Sequence, residues 1–159
     1  MPPKRRRVSE SSQTKEDDGN KGNSSSGPRP HDKFWYSDGS IVLATDVHLY
    51  RVHRSMLAQY SKVLSDIFEM PTGDSNADCW EDVPIVRMVG DTDDEVQFLL
   101  KALYHRNFQN TLHDLEIPVI SSLLSISTKY DFHDIREEVL HFLESIFPST
   151  LKDFEESRK

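Results

Sequence analysis

The hydrophobic positions in the first half of the chain form short runs that predict strands. Residues 41–44 are apolar, with two of the four side chains branched at Cβ, and residues 47–52 alternate loosely between apolar and polar side chains. Thr45-Asp46, a dipeptide typical of turns, separates the two runs, so together they predict a β-hairpin. Residues 84–89 predict a third strand, with Pro84 at its start or at a sheet edge, because proline cannot donate a hydrogen bond to a neighbouring strand.

Residues 54–69 have the clearest helical periodicity in the chain. Their apolar positions recur every three or four residues, which predicts a single helix with one buried face. Ser55 is the expected N-cap, and Pro71 with Gly73 is expected to end the helix. The polar residues 72–82 then predict an exposed loop.

The second half of the chain predicts helices almost throughout. Thr92 and Glu95 have the spacing of a capping box, in which the two residues satisfy each other's free backbone N–H groups. Pro118 suits the first turn of the next helix, and Asp134 with Glu137 predicts another helix start by the same capping spacing. Strands followed by helices predict an α+β fold with a small, mostly antiparallel sheet.

The composition divides the chain near residue 30. The 159 residues have a formal net charge of −8, but residues 1–30 carry seven basic and four acidic side chains, or +3, which leaves −11 for the rest. Residues 1–30 contain only two apolar side chains and cannot bury enough surface to offset the entropy of ordering. We therefore expect a disordered, basic, Ser/Gly-rich tail at 1–30 and one folded domain at 31–157.

Four consecutive cations near the N-terminus follow two prolines and resemble a short nuclear-localisation signal. These residues are Lys4, Arg5, Arg6 and Arg7. The alternative is a solubilising tail that no receptor binds. The sequence thus predicts a nuclear protein, or otherwise a cytoplasmic one.

Residue counts exclude several classes of protein. The single cysteine, Cys79, excludes a disulfide framework and a cysteine-rich zinc module, and it fits a reducing compartment. No apolar run approaches the roughly 20 residues that span a bilayer. Because phosphate contacts need clustered Lys and Arg, the acidic domain is not expected to bind nucleic acid directly.

The sequence contains no recognisable catalytic or metal-binding motif. The seven histidines form no HxxxH or HExxH pair, and Cys79 has no partner at ligand spacing. Neither a GxSxG element nor a Gly-rich phosphate loop is present. We therefore expect no enzyme activity, no cofactor and no metal.

Three stretches, in order over about 120 residues, resemble the BTB/POZ domain, most closely its fungal, mushroom-type members. The first contains the predicted hairpin and the start of the first long helix. The second is the third strand with the helix after it, and the third is the helical pair that follows. The residues that carry the resemblance are His53, Arg54, Ser61, Phe68, Tyr104, Tyr130 and Ile135.

The resemblance implies an α+β fold in which a sheet of three to five strands is flanked by about five or six helices. It also implies a non-enzymatic module that forms homodimers and recruits partner proteins. We expect an aromatic and aliphatic face to mediate self-association. The alternative is that the three consecutive aromatic residues of this face pack against the hairpin instead. The residues expected in this face are Phe34, Trp35, Tyr36, Met56, Leu57 and Tyr60.

Two alternative roles stay open. A substrate adaptor of a cullin-type ubiquitin ligase often carries an apolar-x-Glu element after the first long helix, and residues 70–72 and 86–88 lack the Glu. A corepressor-recruiting transcriptional regulator would need a partner to contact DNA. Some family members hold corepressor peptides in a pocket formed by an acidic residue and a basic residue, and Arg54 stands at the basic position. Ser40 stands at the position of the acid, and Asp38 lies two residues away from it.

His53 and Asp38 also have structural explanations. His53 directly precedes the first long helix, and we expect it to be a hydrogen-bonded core residue rather than a ligand or a catalyst. Asp38 precedes a glycine, and we expect it to lie in a turn.

Overall fold

The structure is a computed structural model that describes residues 27–70, 78–147 and 150–156. The predicted tail up to residue 26, including its four consecutive cations, lies outside the described residues. Part of the predicted loop also lies outside the described residues. This part contains Pro71 and Gly73, the two residues that the sequence predicts to end the first long helix.

The described strands form one sheet of five in the order β1-β3-β2-β5-β4. The β2–β3 and β4–β5 pairs are antiparallel, whereas the β1–β3 and β2–β5 pairs are parallel. The sheet is therefore mixed rather than mostly antiparallel. The β1–β3 pair is parallel because β3 lies between β1 and β2. The β2–β5 pair is parallel because two helices between these strands return the chain to the same end of the sheet. The strands are β1 (Arg29–Trp35), β2 (Ile41–Ala44), β3 (His48–Val52), β4 (Cys79–Trp80) and β5 (Val83–Arg87).

Strand β1 begins at Arg29, two residues before the predicted start of the domain. The backbone N–H of Arg29 donates to the Val47 carbonyl at 3.2 Å, and Pro30 lies opposite Leu49. Because this pairing uses backbone groups, the polar side chains around residue 30 do not predict a strand there.

Seven α-helices lie within the described residues, and a short 3₁₀ turn (Leu112–Asp114) follows the fourth. Together with the five strands they confirm the predicted α+β class. The helices are α1 (Arg54–Tyr60), α2 (Lys62–Glu69), α3 (Asp93–Tyr104), α4 (Phe108–Thr111), α5 (Ile117–Lys129), α6 (His133–Ile146) and α7 (Leu151–Glu156).

The single helix predicted over 54–69 is divided into α1 and α2 at Ser61, whose backbone is extended. Ser55 is not the N-cap of α1, since His53 holds that position. The side chain of Ser40 instead accepts a hydrogen bond from the backbone N–H of Arg54 at 3.0 Å. A residue from the loop before β2 thus supplies a hydrogen-bond partner for the first backbone N–H of α1.

The other predicted helix starts have mixed outcomes. The capping box of Thr92 and Glu95 is present, and Pro118 lies in the first turn of α5. The cap predicted at Asp134 is wrong, because α6 already begins at His133, with Phe132 at the N-cap position. The turn before α6 places Asp131 at a positive φ of 53°, so this tight turn sets the helix start.

The main core lies between one face of the sheet and the helices. Its buried side chains include Tyr50 from β3, Leu57 from α1, Leu99 from α3 and Leu123 from α5. Burying each such side chain stabilises the fold by about 1.5–3 kcal/mol. The inner face of the sheet thus holds helices from both halves of the chain in one domain.

A smaller apolar cluster covers the opposite face of the sheet. Val42, Ala44 and Leu49 are buried there, and the rings of Trp35 and Trp80 meet above them edge-to-face with centroids 5.5 Å apart. Strand β2 is therefore covered on both faces, which explains why residues 41–44 are uniformly apolar.

Gly39 passes so close to β3 that a side chain would not fit. A Cβ atom on Gly39 would lie 2.7 Å from Cγ of Arg51 and 3.0 Å from both the Arg51 carbonyl carbon and the Tyr36 carbonyl oxygen. The two backbone neighbours are held together by the hydrogen bond from Tyr36 N to Arg51 O. We expect Gly39→Ala to lower the free energy of unfolding by about 1–3 kcal/mol, measured by urea denaturation.

Gly27 provides the matched control for this substitution. A Cβ atom on Gly27 would meet nothing within 4 Å, so Gly27→Ala should change the free energy of unfolding by less than about 0.5 kcal/mol. Equal effects of the two substitutions would contradict the close packing at Gly39.

Candidate interaction surface

His53 connects the end of β3 to α3 through a tyrosine hydroxyl. Its backbone N–H donates to Oη of Tyr104 at 3.0 Å, and its ring Nδ1 lies 2.9 Å from the same oxygen. Because this hydroxyl accepts from the backbone, we assign its proton to the bond with Nδ1, which leaves the proton of the neutral ring on Nε2. Nε2 lies 3.1 Å from Oδ2 of Asp38.

The same cluster extends to the surface through Tyr36 and Asp38. The ring of Tyr36 stacks on that of Tyr104 with centroids 5.1 Å apart, and it lies 5.1 Å from the ring of His53. The hydrogen bond from His53 holds the pKa of the exposed Asp38 carboxyl below its usual range. His53 is thus hydrogen-bonded, as expected, but it lies at the border of the core with 27% of its side chain exposed.

Among the residues that the structure describes, Arg54 pairs with no acid. Its Nη2 donates to the Phe68 carbonyl at 2.8 Å, and its guanidinium lies over the Phe68 ring, 5.6 Å from the ring centroid. Asp38, two residues from the expected position of the acid, contacts His53 instead. The acid–base pair implied for a corepressor pocket is therefore not formed.

Ser61 attaches the α1–α2 pair to the second half of the domain. Its buried hydroxyl donates to the Tyr130 carbonyl at 2.5 Å and accepts from the backbone N–H of Leu64 at 3.0 Å, which caps α2. Its backbone also forms an antiparallel bridge with Phe132. The side chain and the backbone of Ser61 thus both contact the turn between α5 and α6.

Tyr130 in turn fixes the end of α5 to the segment before α3. Its hydroxyl donates to Oδ2 of Asp91 at 2.5 Å, and Nζ of Lys129 lies 2.8 Å from both oxygens of this carboxylate. Burial and the bond to Asp91 raise the pKa of Tyr130. The sequence analysis missed this contact because Asp91 and Lys129 are 38 residues apart.

The structure separates the six residues expected to form a self-association face. Phe34 and Leu57 are core residues, 2% and 0% exposed, so they cannot contribute surface to an interface of the folded chain. Trp35 packs in the small cluster on the opposite sheet face, because neighbouring strand residues point to opposite faces. Besides Trp35, which is partly exposed in that cluster, the residues that stay at least partly exposed are Tyr36, Met56 and Tyr60.

A groove of 230 Å³ opens beside Tyr60, between the ends of α1 and α3 and the start of α6. Leu103 and Ile135 contribute apolar surface, and Asp134 and Glu138 contribute carboxylates one helical turn apart. We define the candidate surface as the strip from Tyr36 and Asp38 along the outer side of α1 to this groove. Three helices from distant parts of the chain form the groove, so no local pattern predicted it.

Two other kinds of site are absent from the part of the chain that the structure describes. None of its helices combines the length and the apolar character needed to cross a membrane. Within the same residues, no three His, Cys, Asp or Glu side chains lie close enough to hold a metal ion.

Residues 32–146 match the model of the family described as the BTB/POZ domain. The match contains all seven residues that carried the resemblance in the sequence, from His53 to Ile135. No curated protein matches the chain.

Ser61 and Ser55 offer a matched pair of serines in the same helical segment. Ser61→Ala removes the cap of α2 and the bond to the Tyr130 carbonyl, and should lower the free energy of unfolding by about 1–3 kcal/mol. Ser55 is exposed, and Ser55→Ala should change this free energy by less than about 0.5 kcal/mol. Urea denaturation measures both, and a larger effect at Ser55 would contradict the structural role of Ser61.

Proposed function

The chain belongs to the BTB/POZ domain family, whose domain is a protein–protein interaction module, and from this premise we propose that it forms a homodimer that recruits partner proteins. The observation that carries the proposal is the candidate surface, where Tyr36, Met56 and Tyr60 keep part of their side-chain surface exposed. The proposed module acts by binding, without catalysis.

The size of the surface decides which part of it would take part in a dimer. A stable interface buries about 800 Å² on each partner, and a two-fold dimer uses the same patch on both copies. Helix α1 has seven residues and is only about 10 Å long, so its outer side alone is too small. The proposed interface therefore extends from Tyr36 at one end of α1 to the groove beside Tyr60 at the other.

A double substitution tests the homodimer without touching the core. Met56→Ser with Tyr60→Ser removes exposed apolar surface from α1, and should weaken dimerisation about tenfold or more, since about 1.4 kcal/mol of lost binding corresponds to tenfold. Sedimentation velocity from low to high micromolar concentration measures the change. Val47 is exposed at the opposite end of β3, and Val47→Ser should leave the dimer unchanged. A wild-type chain that stays monomeric throughout would contradict the proposal.

The partner classes differ in what supports them. A corepressor held by an acid–base pocket is disfavoured, because Arg54 contacts Phe68 and Asp38 contacts His53. A cullin-type scaffold is compatible with the groove beside Tyr60, although the apolar-x-Glu element is lacking in the sequence. Our second proposal is therefore that the protein is a cullin adaptor. The fungal type of the family remains a resemblance in sequence.

We further propose that the basic residues 4–7 direct the protein to the nucleus. Residues 1–30, fused to an inert fluorescent protein, should concentrate it in the nucleus, because four adjacent cations bind an import carrier. The matched control replaces Lys4, Arg5, Arg6 and Arg7 by Ala and should give a diffuse signal. A diffuse signal from the unmodified fusion would contradict nuclear import.

A further inference from the structure

Strand β1 contains an irregularity that is held by one histidine ring. Pro30 pairs with Leu49 and Trp35 with Arg51, so four residues of β1 lie opposite the single residue Tyr50 of β3. Within this bulge, Nδ1 of His31 accepts hydrogen bonds from the backbone N–H groups of Lys33 at 3.2 Å and Phe34 at 3.3 Å. The ring thus closes the turn that directs Phe34 into the core.

The His31 ring also attaches β1 to the rest of the domain. It stacks on Tyr50 with centroids 5.0 Å apart and meets His48 edge-on at 5.0 Å. Tyr50 and His48 are themselves bound to the Asp93 carboxylate, at 2.8 Å and 2.7 Å. His31 therefore packs against a hydrogen-bonded group of side chains, His48, Tyr50 and Asp93, that joins β3 to the start of α3.

Protonation of His31 is incompatible with this arrangement. The lone pair of Nδ1 is used by two N–H donors, so a proton on Nδ1 would place a third donor against them and remove their acceptor. Asp93 and Asp32 favour the charged ring, whereas burial, His48 and Lys101 oppose it. Burial and the neighbouring His48 together leave the pKa of His31 below its ordinary value.

The sign of the pH dependence follows from this shift. With β1 released, His31 would titrate near its ordinary pKa of about 6.5, and with β1 docked it takes up the proton only at lower pH. Docking of β1 is therefore fully favourable above about pH 6.5 and weakens as the pH falls below that value.

We propose that His31 is an acid-sensitive latch, in which the neutral ring holds β1 on the edge of the sheet and protonation releases the strand. Release withdraws Phe34 from the core and uncovers Tyr50 together with the backbone edge of β3. Since Trp35 and Tyr36 follow on the same segment, release also rearranges one end of the candidate surface.

Amide hydrogen exchange of the full chain, followed by NMR, tests the latch. The backbone N–H of Tyr36, bound to the Arg51 carbonyl, reports on β1, and the amides of α5 serve as the internal reference. Between about pH 7.5 and pH 5.5, corrected for intrinsic exchange rates, protection of Tyr36 should fall by up to about tenfold, with no change in α5. Constant protection of Tyr36, or an equal loss in α5, would overturn the proposal.

Two substitutions separate His31 from its histidine neighbour. In His31→Asn, Oδ1 can accept the same backbone N–H groups but does not titrate, so protection of Tyr36 should become independent of pH. In His48→Gln the neighbouring imidazole is removed while His31 remains, and the loss of protection should persist. An acid loss in His31→Asn equal to that of the wild type would overturn the proposal.

A direct titration covers the case in which His31→Asn does not fold. The ring carbon resonances of His31 in the wild-type chain give its pKa without any substitution. A midpoint below about 6.5 supports the latch, whereas a midpoint at or above that value overturns it.

Discussion

The buried hydroxyl of Ser61 is the contact on which the arrangement of the helices depends. It interrupts a segment whose apolar periodicity continues from α1 into α2, and it satisfies the freed backbone N–H of Leu64 at the break. The same hydroxyl donates to the carbonyl of Tyr130, 69 residues away. A serine hydroxyl can both donate and accept, so one small side chain caps α2 and binds it to a distant turn, while the extended backbone of the same residue ends α1.

Polar side chains at the ends of other helices and strands also hydrogen-bond to distant parts of the chain. Asp93 begins α3 and accepts hydrogen bonds from Thr45, His48 and Tyr50 on or beside the strands. Burial raises the pKa of this carboxyl, but these hydrogen bonds outweigh it and leave the pKa below its usual value. Throughout the described residues, no buried side-chain nitrogen or oxygen lacks a hydrogen-bond partner. Pairing of this kind is what makes buried polar groups compatible with a stable fold.

The residues that identify the family are therefore structural in this chain. His53, Ser61 and Tyr104 make hydrogen bonds between elements, and Ile135 is buried. They explain why the BTB/POZ fold forms, but most of their polar atoms are already occupied. We propose that partner choice depends on groups outside the signature, such as Met56, Tyr60 and the carboxylates of the groove.

The sequence by itself determined the α+β class, strands β2 and β5, the capping box of α3 and the place of Pro118 in the first turn of α5. These features rest on contacts between near neighbours along the chain, or on a periodicity that burial of one face requires. It also predicted the family, which the match over residues 32–146 confirms.

Only the tertiary structure decided the break at Ser61, the placement of β3 beside β1 and the separation of the predicted aromatic face. The hydrogen bonds between Ser61 and Tyr130, His53 and Tyr104, and Asp91 and Tyr130 join residues 39 to 69 positions apart, and no local pattern contains them. Phe34 and Trp35 are adjacent in sequence but lie on opposite faces of the sheet. Whether an aromatic side chain belongs to the core or to a surface is set by what the folded chain packs against it, and that packing exists only once distant segments meet.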